Sequence, residues 1–150
     1  MVAIAATWRW RLDASEGVDL TPTHLLPEPK LDDAPGPEEG PVLVSAEYCV
    51  ELESAGEFVV TMRQLGRLRR RDGAMQWGLF RDPAQPGRYL ESFVVESWAE
   101  YLREMERATI ADRAIDQHAR SFLTTGEHPT VTHLVAARGP DDAAPITSGV

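Results

Sequence analysis

The run from residue 69 to residue 100 constrains the fold most, because it holds a helix end, two strands and the start of another helix. Gly73, which follows three arginines and an aspartate, suits the left-handed exit that ends many helices. Residues 77–80 alternate as a strand does, and the prolines and glycine of residues 82–87 predict a turn because they cannot continue a ladder. A second strand is predicted over residues 88–96. Together these elements indicate the middle of a compact α+β unit.

The flanking sequence supplies two more strands and completes three helices. Residues 42–50 alternate between two faces, as a strand half-buried in a sheet does. Ser54, Ser97 and Thr109 each stand three residues before an acid, which is the spacing of a helix-capping box. The last strand is predicted over residues 131–137. The order β-α-β-β-α-α-β predicts the α+β class and a ferredoxin-like plait with a four-stranded antiparallel sheet.

Strand alternation and helical stripes indicate which side chains face the core. The predicted core positions are Val42, Val44, Ala46, Tyr48 and Val50 of the first strand, Phe58, Met62 and Leu65 of the first helix, Trp98, Tyr101, Leu102 and Met105 of the second, and Ala111, Ile115, Phe122 and Leu123 of the third.

Charge is spread unevenly along the 150 residues, whose formal net charge is −9. Residues 13–41 carry eight acids against Lys30 alone, together with six prolines, and such a segment stays extended. Residues 42–138 carry 14 acids and 12 arginines and are therefore close to neutral. We predict an acidic, proline-rich linker at 13–41, a folded domain at 42–138 and a flexible tail at 139–150. A negative chain without a dominant basic patch argues against a nucleic acid partner.

The first twelve residues form a short apolar run that ends in two tryptophans and two arginines. A signal peptide places its positive charges before the apolar run, and here they come after it. This order is typical of the cytoplasmic end of a membrane helix, so residues 1–12 are interpreted as a remnant of one. A weakly amphipathic N-terminal segment accounts for them equally well. The sequence holds no apolar run of about 20 residues that could cross a bilayer by itself.

The sequence offers little for a metal or a cofactor. Cys49 is the single cysteine, which excludes an internal disulfide and is typical of a reducing compartment. His24, His118, His128 and His133 are scattered, whereas metal ligands stand at short spacing. His118 or His133 could act as a base or a haem ligand, but neither has an acid partner at readable spacing. We predict no catalytic residue, no metal site and no cofactor.

Aromatic residues are the candidates for lining a small cavity between the sheet and the helices. Aromatic side chains also fill cores, because they bury large areas and their polar tips need one partner each, and this interpretation is favoured. The candidate cavity residues are Trp77, Tyr89, Phe93, Trp98 and Tyr101.

The strands carry apolar residues on both faces, although helices can cover only one side of such a sheet. An exposed apolar patch of that size is usually an interface, so we predict that two copies pack sheet against sheet with twofold symmetry. A mildly apolar face left in water is the alternative. The predicted dimer face consists of Leu43, Cys49, Leu90, Val94 and Leu134.

The arginines at positions 67, 69, 70 and 71 admit two interpretations. They could bind phosphate or anionic lipid. In the last turn of a helix they also complement the helix dipole and cover apolar surface with their stems, which is the favoured interpretation. For a domain beside a membrane, contact of Arg67–Arg71 with lipid stays open.

Several blocks of the sequence resemble the cytosolic C-terminal domain of the enterobactin-exporter-like permeases of the major facilitator superfamily. The blocks are DLTP at 19–22, GPVLV at 40–44, EY at 47–48, RRRDG at 69–73, WGLFRD at 77–82, FVVESWAE at 93–100, LR at 102–103 and ADRA at 111–114. The resemblance implies a ferredoxin-like domain similar to antibiotic-biosynthesis monooxygenases, on the cytoplasmic side of an exporter. Related domains often carry histidine at the positions of Tyr101 and Met105, and its absence here weakens any imidazole-based activity.

The sequence departs from these permeases because their membrane helices are absent from it. We therefore expect a truncated product, a fragment or a free-standing descendant that transports nothing by itself. The favoured function is a non-catalytic, homodimeric accessory domain of an efflux protein, cytoplasmic as this isolated chain and at the cytoplasmic side of the cell membrane when attached to a permease. Its expected partners are a second copy, a permease membrane domain, or anionic lipid near Arg67–Arg71. The alternative is a small cofactor-free oxygenase or ligand-binding protein that uses the aromatic cavity.

Overall fold

A computed structural model describes residues 26–27, 29–126 and 128–139 of the chain. In chain order its elements are β1 (Val42–Cys49), a 3-10 turn (Leu52–Ser54), α1 (Ala55–Asp72), β2 (Gln76–Arg81), β3 (Arg88–Val95), α2 (Trp98–Arg107), α3 (Ile110–Arg120) and β4 (Thr130–Val135). This order confirms the predicted β-α-β-β-α-α-β arrangement. The predicted membrane-helix remnant at 1–12, the linker before residue 26 and the tail from residue 140 lie outside the described residues, so the domain limits stay a prediction.

The four strands form one antiparallel sheet in the order β2-β3-β1-β4. The central strand β1 pairs with β3 on one side and with β4 on the other, so that Leu43 lies opposite both Val94 and Leu134. Alternate residues of β1, from Val42 to Tyr48, are buried, as the sequence predicts. The helices therefore cover one face of the sheet and leave the other face to solvent.

Two apolar clusters fill the space between the sheet and the helices. The first packs Tyr48 of β1 against Phe58 of α1, with their ring centroids 5.3 Å apart. The second joins Phe93 of β3 to Trp98 and Tyr101 of α2, whose ring centroids are 5.2 Å apart. Burial of such large rings is the main source of stability in a domain of this size.

One of the three predicted capping boxes forms in full, and a second forms in half. Thr109 and Asp112 exchange both hydrogen bonds of a capping box. Ser97 accepts a bond from the backbone of Glu100, whereas the Glu100 carboxylate pairs with two arginines instead of completing the box. The prediction at Ser54 is wrong, because the preceding 3-10 turn holds this residue in a helical conformation, where its side chain makes no capping bond.

The third helix is shorter than its apolar pattern suggests. It ends at Arg120, so Phe122 and Leu123 follow it in the loop, where Leu123 pairs with Val50 as an isolated bridge. Phe122 still packs on the core. The predicted burial of Ala111 and Leu102 is wrong, because each lies to the side of its helix's buried stripe and is exposed.

Part of the predicted linker packs on the domain. The backbone N–H of Trp98 donates to the carbonyl of Glu39 at 2.7 Å, and that of Ala99 donates to the carbonyl of Pro37 at 2.9 Å. Leu26 is buried in the cluster that contains Trp98. These bonds satisfy the free donors at the start of α2, so the chain before β1 helps to position that helix.

Candidate functional site

Three charged side chains from three different elements are buried together between the sheet and the helices. Arg69 of α1, Glu91 of β3 and Glu104 of α2 are 2%, 0% and 4% exposed. Charged side chains are almost never buried to this degree unless they are paired. We call these three residues the buried charge cluster.

The positions of the three residues follow from the local periodicity. Arg69 comes four residues after the buried Leu65 on α1, and Glu104 comes three residues after Tyr101 on α2. Glu91 lies between two inward-facing residues of β3. Glu91 and Glu104 were not among the predicted site residues, although an acid on the apolar face of a predicted strand or helix is a readable signal.

Glu91 is the centre of the buried charge cluster. Its carboxylate accepts hydrogen bonds from Trp77 Nε1 at 2.9 Å, from the Tyr48 hydroxyl at 3.2 Å and from Arg69 Nε at 3.4 Å. The Arg69 guanidinium also lies 4.7 Å from the centroid of the Phe93 ring. Burial, followed by the charge of Glu91, raises the pKa of Tyr48 well above its usual value, so this hydroxyl stays a donor.

Glu104 is the least compensated member of the buried charge cluster. Its Oε1 lies 3.9 Å from Arg69 Nη1, which is within ion-pair range but too long for a hydrogen bond. Neither Glu104 oxygen has a hydrogen-bond partner in the described part of the chain. Burial raises the pKa of Glu104 to about 7, and the attraction of Arg69 opposes this shift. Near neutral pH this carboxyl therefore gains or loses a proton inside the fold.

A polar pair separate from the buried charge cluster lies between α2 and the edge strand β4. The Tyr101 hydroxyl is 2.7 Å from Nε2 of His133, and Trp98 packs against both rings. Burial raises the pKa of Tyr101 to about 12 and lowers the pKa of His133. At neutral pH both groups are uncharged, and the hydroxyl can donate to the imidazole in the tautomer whose proton is on Nδ1.

Two cavities flank this Tyr101–His133 pair. One of about 420 Å³ is lined by His133, and one of about 340 Å³ is lined by Trp98 and Tyr101. Pro29 and Leu31 line both cavities. Residues of the predicted linker thus form the wall between them.

The five predicted cavity residues fall into three places. Trp98 and Tyr101 line the cavity beside α2. Trp77 and Tyr89 line a separate groove of about 370 Å³ at the β2 edge, which α1 leaves partly uncovered. Phe93 lies between them in the core, 1% exposed, with the Arg69 guanidinium stacked on its ring.

The predicted anion-binding arginines differ in availability. Arg69 belongs to the buried charge cluster, and Arg71 binds Asp72 at 2.7 Å and Asp112 at 2.8 Å. Neither is free to meet a phosphate, because both guanidinium groups are held by carboxylates. Arg67 and Arg70 are exposed, and Arg70 lies 5.4 Å from the Trp77 ring centroid.

The helix-free face of the sheet carries the predicted dimer residues in two apolar patches. Leu43 and Leu134 are 37% and 54% exposed and lie beside half-buried Val94. The second patch pairs Leu90, 39% exposed, with Phe80 on the neighbouring strand.

Polar and small residues separate the two apolar patches. The dividing row runs across the four strands through Thr132, Ser45, Ser92 and Gly78. Cys49 is half-buried beside Arg88, which pairs with carboxylates on the same side of the domain. The face is therefore apolar in parts and not throughout.

Two kinds of feature are not found in the described residues. Within ranges 26–27, 29–126 and 128–139, no three acidic, histidine or cysteine side chains cluster as a metal site requires. In the same ranges no helix is both long and apolar enough to span a bilayer.

Solved structures with the same fold share low sequence identity with this chain. A candidate antibiotic biosynthesis monooxygenase from Caulobacter crescentus is 18% identical, with a TM-score of 0.58 over 68% of this chain and 94% of that one. A similar candidate from Bordetella bronchiseptica is 19% identical, with a TM-score of 0.55 over 67% and 100% of the two chains. SnoaB, a cofactor-independent oxygenase from Streptomyces nogalater, is 15% identical, with a TM-score of 0.50 over 65% and 91%.

These identities establish the fold alone, and they confirm the predicted ferredoxin-like α+β class. No curated protein matches the chain in sequence. The model of one protein family, described as transmembrane secretion effector, matches residues 1–140. That match covers nearly the whole sequence and confirms the resemblance to a domain associated with the major facilitator superfamily. The chain belongs to the transmembrane secretion effector family.

Proposed function

We propose that the folded part of this chain is a non-catalytic accessory domain of a secretion transporter, and that it pairs with a second copy through the helix-free face of its sheet. The observation that carries the proposal is the uncovered apolar patch of Leu43, Val94 and Leu134. Membership in the transmembrane secretion effector family supports the transport setting. The cytoplasmic side of the membrane and a permease partner belong to the same proposal.

The geometry of the face favours a second copy as its occupant. Leu43, Val94 and Leu134 lie side by side on three neighbouring strands, so they form one continuous surface. A twofold axis parallel to the sheet and lying between the two copies would place such a patch on its equivalent or on the Leu90 and Phe80 patch of the other copy. The residues of the dividing row are small, so two sheets can approach each other closely there.

The interior supports an accessory role over a catalytic one. Arg69 and Glu91 hold each other, so neither can serve as a reactive group without breaking a buried ion pair. His133 contacts the Tyr101 hydroxyl, and no carboxylate is hydrogen-bonded to its ring within the described residues.

We expect Leu43→Asp and Leu134→Asp to weaken self-association at least about tenfold each, because burying a leucine contributes about 1.5–3 kcal/mol and a buried aspartate has no partner there. Light scattering of the full chain over a concentration series measures the effect. Val60→Asp is the matched control, since Val60 is 56% exposed, close to Leu134 at 54%, but lies on α1. Loss of association in the control variant, or none in the strand variants, would refute the proposed face.

A second candidate function is a cofactor-free oxygenase, and the Tyr101–His133 pair with its flanking cavities is the observation that favours it. We expect the full chain to take up oxygen no faster than buffer with a naphthohydroquinone, because the described residues hold no histidine base that is hydrogen-bonded to a carboxylate. An oxygen electrode measures the rate. A rate above buffer that falls in Tyr101→Phe would replace the accessory function with the oxygenase.

A further inference from the structure

We infer that the groove between α1 and the edge strand β2 is a binding site for a small amphiphilic anion, of the class of ring-bearing carboxylates. The groove is lined by Val59, Arg63, Trp77, Leu79, Arg81 and Tyr89 and has a volume of about 370 Å³. This volume lies in the range of pockets that hold small organic ligands. The site is on the helix-covered side of the sheet, so it is independent of the proposed dimer face.

Most ion pairs of the described residues leave the two arginines of the groove out. Arg69, Arg71, Arg88, Arg103, Arg107 and Arg120 each form an ion pair with a carboxylate. Arg63 and Arg81, which line the groove, have no side-chain partner among the described residues. In a chain of net charge −9, two such cations beside one groove indicate an anionic ligand.

Further positive charge lies close to the groove. Arg63, Arg67 and Arg70 follow each other at helical spacing on α1 and thus share one side of that helix. The guanidinium of Arg70 lies over the Trp77 ring, and its Nη2 donates to the Trp77 carbonyl at 3.4 Å. Positive side chains are therefore concentrated beside the groove, although the chain as a whole is negative.

The Trp77 indole, which lines the groove, is held in a fixed position. A Cβ placed on Gly66 would lie 2.5 Å from Trp77 ring carbons, so the indole rests directly on the helix backbone and only glycine permits this. The indole N–H donates to Glu91 at 2.9 Å, which fixes the orientation of the ring. A fixed apolar surface binds a planar ring with little loss of conformational freedom.

The chemistry of the lining defines the ligand. Val59, Leu79 and the two aromatic rings offer apolar surface to a ring or a short hydrocarbon body. The guanidinium groups of Arg63 and Arg81 pair well with a carboxylate, whose two oxygens match their planar donors. A concave groove with charges at its rim fits a single small molecule better than it fits a flat lipid surface.

The experiment is calorimetric titration of the full chain with naphthoate, and with naphthalene carboxamide as the uncharged isostere. We expect naphthoate to bind and the amide to bind at least about tenfold more weakly, since a charge-assisted hydrogen bond contributes more than a neutral one. The double variant Arg63→Gln/Arg81→Gln should lose this preference. Arg67→Gln is the control, because it removes a charge from the same helix but does not line the groove.

Equal affinity for naphthoate and the amide would overturn the inference, as would an equal loss of naphthoate binding in Arg67→Gln. A second titration uses phosphatidylglycerol vesicles. If the vesicles bind and naphthoate does not, the positive side of α1 is a lipid contact and the groove is not a ligand site. All of these substitutions are at exposed positions, so urea unfolding should report unchanged stability.

Discussion

Replacing Glu91 with glutamine is expected to lower the free energy of unfolding by about 3–5 kcal/mol, because it leaves the Arg69 charge buried without a hydrogen-bonded carboxylate. In the wild type, Glu91 is fully buried and accepts bonds from Arg69, Tyr48 and Trp77. After Glu91→Gln, the acids left near the guanidinium are Glu104, at 3.9 Å, and the buried Asp116, and neither is hydrogen-bonded to Arg69. Urea unfolding of the full chain, followed by far-ultraviolet circular dichroism, measures the loss.

The matched control for this prediction is Glu47→Gln. Glu47 also lies on a strand and also pairs with an arginine, at 2.6 Å, but both partners are partly exposed, so only a marginal change is expected. A double-mutant cycle of Arg69→Met and Glu91→Leu should show strong coupling, because removing both charges leaves no unpaired ion between them. Additive losses, or a loss at Glu91 no greater than at Glu47, would contradict the buried charge cluster.

Glu104→Gln is expected to change how stability depends on pH. Burial raises the pKa of Glu104 to about 7 from its ordinary value of 4.5, so between these pH values the folded protein holds a proton that the unfolded chain releases. The contribution of this carboxyl to the free energy of unfolding is therefore complete below pH 4.5 and falls as the pH rises to about 7. A shift of this size corresponds to about 3 kcal/mol, and glutamine removes that decline.

The measurement compares wild type and Glu104→Gln by urea unfolding at pH 4.5 and at pH 8. The variant should gain about 3 kcal/mol relative to wild type between the two pH values. His133, whose pKa is lowered by burial, contributes stability that is lost as the pH falls below its ordinary value of 6.5, and this opposite trend is common to both proteins. Glu106→Gln, at an exposed position on the same helix, should behave like wild type. An unchanged pH profile in Glu104→Gln would contradict the burial of an uncompensated acid.

The order of the elements could be predicted from the sequence because local signals determine it. Alternation over β1, the turn after β2 and the capping box at Thr109 depend on residues close together in the chain. The ends of the helices and strands were harder to predict from the sequence. The apolar Phe122 and Leu123 continue the pattern of α3, yet the helix ends before them, and Leu123 forms an isolated bridge with Val50 just beyond β1.

The candidate sites could be predicted only in part, because they depend on contacts between distant segments. The aromatics at Trp77 and Trp98 were identified, but their separation into two places follows from the order of strands in the sheet. The packing of residues 37–39 on α2 has no local signal in a segment rich in proline and acids. The arginines near residue 70 look alike in sequence, and only the fold separates the buried Arg69 from the exposed Arg70.

Sedimentation equilibrium of the full chain is the most direct test of the accessory, self-pairing function. At tens of micromolar we expect a mass of twice the 16.6 kDa of one chain, falling toward a single chain on dilution. A mass of one chain throughout that range would contradict it, because the apolar strand face would then be stable in water by itself.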